Sequence, residues 1–111
     1  MLSEHEIELF KLKAEMCKTF ADHKRLLIIN QLRDGEKQVG ELADALKMPQ
    51  AIVSRQLALL RSRGIVTPRR EGINVFYRLT DLKIIEACDI VHSVLLSQIA
   101  RNKDLAERLM R

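Results

Sequence analysis

Seven Lys or Arg side chains fall between positions 47 and 78 (Lys47, Arg55, Arg61, Arg63, Arg69, Arg70 and Arg78), and they face a single acid, Glu71. That stretch carries +6 while the whole chain carries +4, so the remaining residues sum to −2. Positive charge concentrated in less than a third of a sequence is the electrostatic footprint of a polyanion partner, because each cation can displace a counterion condensed on a phosphate. Other chemistry is sparse. There is no Gly-rich phosphate loop, no Ser/His/Asp set and no cluster of carboxylates, so the chain is read as a non-enzyme with no cofactor. Cys17 and Cys88 stand about seventy positions apart and outside any C-x-x-C motif, which argues against a disulfide scaffold or a zinc finger and for two thiols in a reducing compartment.

The elements that must position these cations are read from apolar spacing. From Glu6 to Phe20 the residues Ile7, Leu9, Phe10, Leu12, Met16 and Phe20 recur at three- and four-residue steps, an amphipathic helix. Asp22 is placed to cap a second helix, His23 to Leu32, which turns Leu26, Leu27, Ile29 and Leu32 inward and stops at Asp34-Gly35, where glycine accepts a left-handed conformation. A short third helix runs from Val39 to Leu46. Pro49 disfavours helix at the residue before it and suits the first turn of a fourth helix, Pro49 to Arg63, closed by Gly64. Two helices separated by so short a break are a helix-turn-helix signature.

Two strands follow, Ile65 to Arg70 and Asn74 to Leu79, joined by Glu71-Gly72-Ile73, with Pro68 assigning the first to a sheet edge. Beyond Asp81, expected as an N-cap, the pattern Leu82, Ile84, Ile85, Cys88, Val91, Leu95 and Ile99 marks a fifth helix. Residues 102–111 are mostly charged and either extend that helix or fray. The expected order is ααααββα, a mainly helical α+β chain. Its 111 residues make one domain, 1–111, whose 47 % hydrophobic content is rich in Leu and Ile and poor in aromatics. No apolar run approaches the ~20 residues of a membrane span and the N-terminus has no signal-peptide core, so a cytoplasmic location is expected.

Four blocks, F-A-D-H-K-R-L-L-I-I-N-Q-L, V-G-E-L-A-D-A-L, V-S-R-Q-L-A-L-L-R-S-R-G-I-V and R-R-E-G-I-N-V-F-Y-R-L, occur in that order between about Cys17 and Leu79. Together they resemble the ArsR/SmtB family of winged-helix repressors. The resemblance implies a homodimeric regulator that binds double-stranded DNA at an inverted repeat. Residues 1–20 and 82–100 would form dimerisation helices, 39–63 the helix-turn-helix, 65–79 the wing and 102–111 a charged tail.

In a helix-turn-helix the N-terminal residues of the second helix meet base edges in the major groove, so Gln50, Ala51, Ser54, Arg55 and Gln56 are the candidates for reading sequence. Gln can bond bidentately to adenine and Arg to guanine, Ser is permissive, and the Ala51 methyl can meet thymine. Some of them equally can touch only phosphate or solvate the helix. Arg69 and Arg70, beside the Gly72 turn, would meet the minor groove or its phosphates, unless they simply solvate the hairpin. Lys47, Arg61 and Arg63 are phosphate clamps or surface charges, and Arg25 is structural or positions a phosphate. Two departures from the family pattern, Pro49 at the helix start and Gln56 after the Ser54-Arg55 pair, leave the operator sequence open.

The sensor sites that the resemblance implies are missing their ligands. Gln38 and Gly40 stand where a third-helix thiolate site needs cysteines, and Lys83, Val94 and Ser97 stand where a last-helix zinc site needs histidines. What is left is Cys88 with His92 four residues on as a metal candidate and Cys17 with Cys88 as a redox candidate. Against both, core packing is the ordinary fate of a cysteine in an apolar pattern. A winged-helix module that docks a protein instead of DNA is the other reading, and it has no need of +6 across the helix and hairpin.

Overall fold

The computed structural model describes residues 1–110; Arg111 lies outside the described residues. Two compact units are present, Met1–Asp81 and a second beginning at Leu82. In the first unit α1 (Glu4–Thr19), α2 (His23–Gln31), a 3-10 turn (Leu32–Asp34), α3 (Val39–Leu46) and α4 (Gln50–Ser62) precede a hairpin of β1 (Val66–Glu71) and β2 (Asn74–Leu79). The second unit is α5 (Lys83–Arg101) followed by α6 (Lys103–Leu109). Helices dominate and the sheet is a single two-stranded hairpin, as expected of a winged helix. Among the described residues no helix is long and apolar enough to cross a membrane.

Capping explains most boundaries. α1 begins two residues earlier than its apolar pattern, because Ser3 Oγ accepts from the Glu6 N–H while the Glu6 carboxylate accepts from the Ser3 N–H, a reciprocal capping box. Asp22 caps α2 as expected, its Oδ1 accepting from the Lys24 and Arg25 amides at 2.8 and 3.3 Å. Burial works to raise the Asp22 pKa, but those amide bonds and the Arg25 charge together hold it below the ordinary value. The helix stop differs from expectation. Gly35 has φ +136° and ψ −178°, outside the left-handed helical region and in one that is essentially reserved for glycine.

The end of α3 is set by Lys47, the one non-glycine residue with positive φ (+54°) among those described. The Met48 amide reaches back to the Ala43 carbonyl at 3.0 Å, which closes the turn between α3 and α4 before Pro49 is reached. Pro49 is therefore the N-cap residue of α4 and not its first helical one. Gly64, φ +75°, closes α4 in the same manner, with the Ile65 amide donating to the Leu60 carbonyl at 2.9 Å.

The hairpin register pairs Val66 with Leu79 and Glu71 with Asn74, so the connection is the two residues Gly72-Ile73, and β1 ends one residue later than expected. Tyr77 gives both its N–H and its C=O to Lys37, at 2.8 and 3.0 Å, which places a short antiparallel bridge on the far side of β2. Pro68 lies opposite Tyr77. Because the Tyr77 backbone groups point to Lys37, this is a non-hydrogen-bonded pair, and the missing proline N–H leaves no gap in the ladder.

The core of the first unit is Ile28, Ile29, Leu32, Leu42, Val53, Leu57, Leu60, Ile65 and Val66, all buried. On α2 this corrects the expected inward set: Ile28 is buried, whereas Leu26 and Leu27 are exposed. Ile28, Ile29 and Leu32 follow the helical repeat, while Leu26 and Leu27 fall beside the stripe. α1 leaves its apolar side chains bare, with Leu9 65 % and Phe10 60 % exposed beside Ile7, Leu12 and Met16. On α5, described by itself, Ile90, Val91, Val94, Leu95 and Leu96 are also exposed. Its N-cap position is Leu82, not the expected Asp81. The tail neither extends α5 nor frays: Asn102 breaks the helix, and its Oδ1 accepts from the Leu105 amide at 3.1 Å to start α6.

Candidate nucleic-acid interface

α4 is divided lengthwise by its sequence. Val53, Leu57 and Leu60, spaced four and three apart, are buried, which leaves Gln50, Ala51, Ser54, Arg55, Ala58, Arg61 and Ser62 exposed. Four of the five expected base readers, Gln50, Ala51, Ser54 and Arg55, lie on that outward surface within the first two turns. Pro49 offers no side-chain acceptor, and its carbonyl receives the Ile52 and Val53 amides, so the earliest amides of the helix remain open to an anion.

Gln56 differs from the other four. It is half-buried, and its Oε1 accepts from Arg25 Nη1 at 3.4 Å. Arg25 itself is held from behind, with Nε donating to the Thr19 carbonyl at 2.7 Å and Nη2 to the Lys18 carbonyl at 3.4 Å. Its side chain is only 16 % exposed, with Asp22 Oδ2 at 3.9 Å. Of the two roles expected for Arg25, the structural one is what this geometry provides: the side chain ties the end of α1 to α4. Arg63 makes a second tie, Nη1 lying 3.5 Å from the Glu15 carbonyl and 3.8 Å from its carboxylate.

On the hairpin the two-residue period sends Arg69 and Arg70 to opposite faces. Arg69 shares its face with Phe76, its cross-strand partner, and the guanidinium lies 4.7 Å from that ring. From there Nε donates to both Glu36 carboxylate oxygens, at 3.1 and 3.0 Å, while Nη1 donates to Glu71 at 3.0 Å. The hydrogen bond from Arg69 holds the Glu36 carboxyl below the ordinary glutamate range, and the two acids together push the guanidinium pKa up. Arg69 is thus committed to staple the segment before α3 across β2, and Arg70 is left as the unpaired cation of the two. Glu36 lies thirty-three residues from Arg69, and no local spacing reveals the partnership.

Among the described residues Lys47, Arg55, Arg61, Arg70 and Arg78 make no ion pair, but the Arg78 charge helps hold the Glu36 carboxyl low, so four of the seven cations between 47 and 78 stand open to a partner. Cys17 is exposed on α1 and Cys88 half-buried on α5, in different units. His92 follows Cys88 by one turn of α5. Among the described residues no group of three or more His, Cys, Asp or Glu side chains is placed to hold a metal ion.

Residues 22–67 match the model of the bacterial regulatory protein arsR family. The chain is similar to the HTH-type transcriptional repressor SmtB of Mycobacterium tuberculosis, 40 % identical over 67 % of this chain. That match spans only 55 % of the repressor's length, a little over half. It is also similar to the biofilm growth-associated repressor of Xylella fastidiosa, 35 % identical over 77 % of this chain and 75 % of that one. Among solved structures, the homodimeric winged helix-turn-helix DNA-binding domain of a possible ArsR-family regulator from Mycobacterium bovis superposes with a TM-score of 0.78. It is 29 % identical and covers 90 % of this chain and 93 % of that one. The helix-turn-helix and wing built from residues 22–79 and these likenesses agree: the chain belongs to the ArsR family of bacterial regulatory proteins.

Proposed function

We propose that the chain is a sequence-specific regulator of transcription that binds double-stranded DNA as a homodimer, represses its own operon from an inverted repeat, and acts in the cytoplasm without catalysing a reaction. The observation that carries this is the division of α4. Its inner side is spent on the core, while its outer side presents Gln50, Ala51, Ser54 and Arg55 together with the open cations Lys47 and Arg61. A helix so exposed is free to enter a major groove, with Arg70 on the wing for the flanking backbone. The bare apolar side chains of α1 and, separately, of α5 supply what a second copy would cover, and a dimer would place two reading helices on two half-sites.

Mobility shift against the promoter of its own operon, at two salt concentrations, tests this reading. A retarded band whose affinity falls steeply between the two is expected. Absence of binding to any genomic fragment at low salt would remove the repressor reading.

A further inference from the structure

The base of the hairpin is fixed by the buried Ile65, Val66 and Leu79, but side chains 69–74 are all exposed, so its outer half has no core beneath it. A two-stranded hairpin is marginal by itself, and its direction has to come from contacts elsewhere. One short segment, residues 35–38, supplies them. Lys37 exchanges both backbone groups with Tyr77 on β2, and Glu36 reaches across β2 to Arg69 on β1. Arg69 Nε faces both oxygens of that carboxylate, Nη2 adds a bond to Oε1, and the guanidinium rests on Phe76. Gln38, the next residue, is the N-cap of α3, its amide donating to the Glu41 carboxylate at 3.1 Å. The anchored segment therefore runs directly into the helix-turn-helix.

We infer that Glu36 is a positioning residue for DNA binding: an acid that strengthens attachment to a polyanion because, through Arg69, it holds the wing in the direction at which Arg70 meets the backbone. This rests on the reading of α4 and the wing as the DNA-contacting surface. A hairpin without its anchor samples other directions, and affinity falls by the fraction of the time that it is correctly placed. The bound complex still makes the same phosphate contacts, so the salt slope is kept. Charge alone predicts the opposite sign. Removing an acid raises the positive charge of the protein and releases Arg69 for phosphate, which should tighten binding and steepen the slope.

Binding of the full chain to a mixed-sequence duplex, followed by fluorescence anisotropy over a range of salt, tests the inference. The proteins are wild type, Glu36→Gln, Glu36→Lys and the double variant Glu36→Lys with Arg69→Glu, each measured well below its own melting temperature. Glu36→Gln is expected to bind about threefold and Glu36→Lys about tenfold more weakly, as for wings correctly placed roughly a third and a tenth of the time. Both slopes should stay within about 0.5 of wild type. The double variant restores the wild-type net charge and sets a cation at position 36 against acids at 69 and 71, so it should recover part of what Glu36→Lys loses. Hydrogen exchange adds a readout that general destabilisation would not move selectively. The Lys37 and Tyr77 amides should exchange faster in Glu36→Gln, while the Ile65 amide at the hairpin base stays as in wild type. Unchanged or tighter binding by Glu36→Lys, or a steeper slope for Glu36→Gln, would overturn the inference and leave the regulator reading standing. A double variant as weak as Glu36→Lys would overturn it equally. Wild type that binds no duplex at low salt would overturn the regulator reading itself, and this inference with it. Should Glu36→Lys fail to fold, the isosteric Glu36→Gln decides the sign.

Discussion

The adjacent pair Arg69 and Arg70 gives the sharpest test of how this surface would meet DNA. Both are arginines next to one turn, yet one is engaged by Glu36 and Glu71 and the other is open. Salt dependence separates them, because the slope of log K against log salt counts the phosphates neutralised and not the charge on the protein. Four open cations per protomer, doubled in a homodimer, set a ceiling of ~8 phosphate contacts and a slope near −7 on B-form DNA. Arg70→Gln removes two contacts from the dimer and should make the slope shallower by about 2.

Arg69→Gln should leave the slope within about 0.5 of wild type, since its guanidinium already faces carboxylates and not counterion-condensed phosphate. Its affinity still drops at every salt concentration, because Glu36 and Glu71 lose their partner beside the wing. Fluorescence anisotropy on a mixed-sequence duplex of 40 base pairs or so, titrated at five salt concentrations from about 50 to 300 mM, suffices. The phosphate term is sequence-independent, so no operator is required. Equal loss of slope in the two variants would refute the division of the wing into a staple and a free cation. A shallower slope for Arg69→Gln alone would reverse it.

Two further outcomes are expected. Phe10→Glu places a charge on the bare apolar side of α1, so sedimentation equilibrium should show the mass falling from that of a pair of 12.8 kDa chains to that of one, with the DNA affinity falling alongside. A mass unchanged from wild type would remove that side of α1 from the dimer. Glu36→Gln addresses pH: the folded carboxyl lies below its ordinary value of 4.5, so its contribution is fully present above that value and is lost as the pH falls through the lower folded value. Urea midpoints measured from pH 6 down to pH 3 should therefore fall less steeply for the variant than for wild type, and parallel curves would contradict the pairing.

The parts of the molecule legible in the sequence are those fixed by near neighbours. Asp22, Gly64 and the apolar repeats of α3 and α4 act within a turn of themselves, and the elements they bound lie where their spacing puts them, to within a residue. Two features depend on residues far away in the chain, and a third has no signal in its own side chain. From sequence alone Arg69 reads as a phosphate ligand because Glu36 is thirty-three residues away, and Gln56 reads as a free outward side chain because its partner Arg25 is thirty-one residues away. Lys47 ended α3 in a conformation usually left to glycine or asparagine, for which its side chain gives no signal. The tail had a local signal that its charge obscured, since Asn102 three residues before Leu105 is an N-cap spacing.

The same long-range contacts bear on how a dimer would present its two reading helices. Near the end of α1 the carbonyls of Glu15, Lys18 and Thr19 are bonded by Arg63 and Arg25. Arg63 is the C-cap residue of α4, and Arg25 reaches Gln56 in its middle. α4 is therefore tied to α1 at two points about two turns apart, which resists both tilt and rotation of one helix against the other. If α1 is where a second copy docks, the separation and angle of the two reading helices follow from the α1 pairing through these ties. Such a dimer is expected to favour one half-site spacing, because a change of even one base pair displaces a half-site by about 3.4 Å along the duplex and rotates it about the axis.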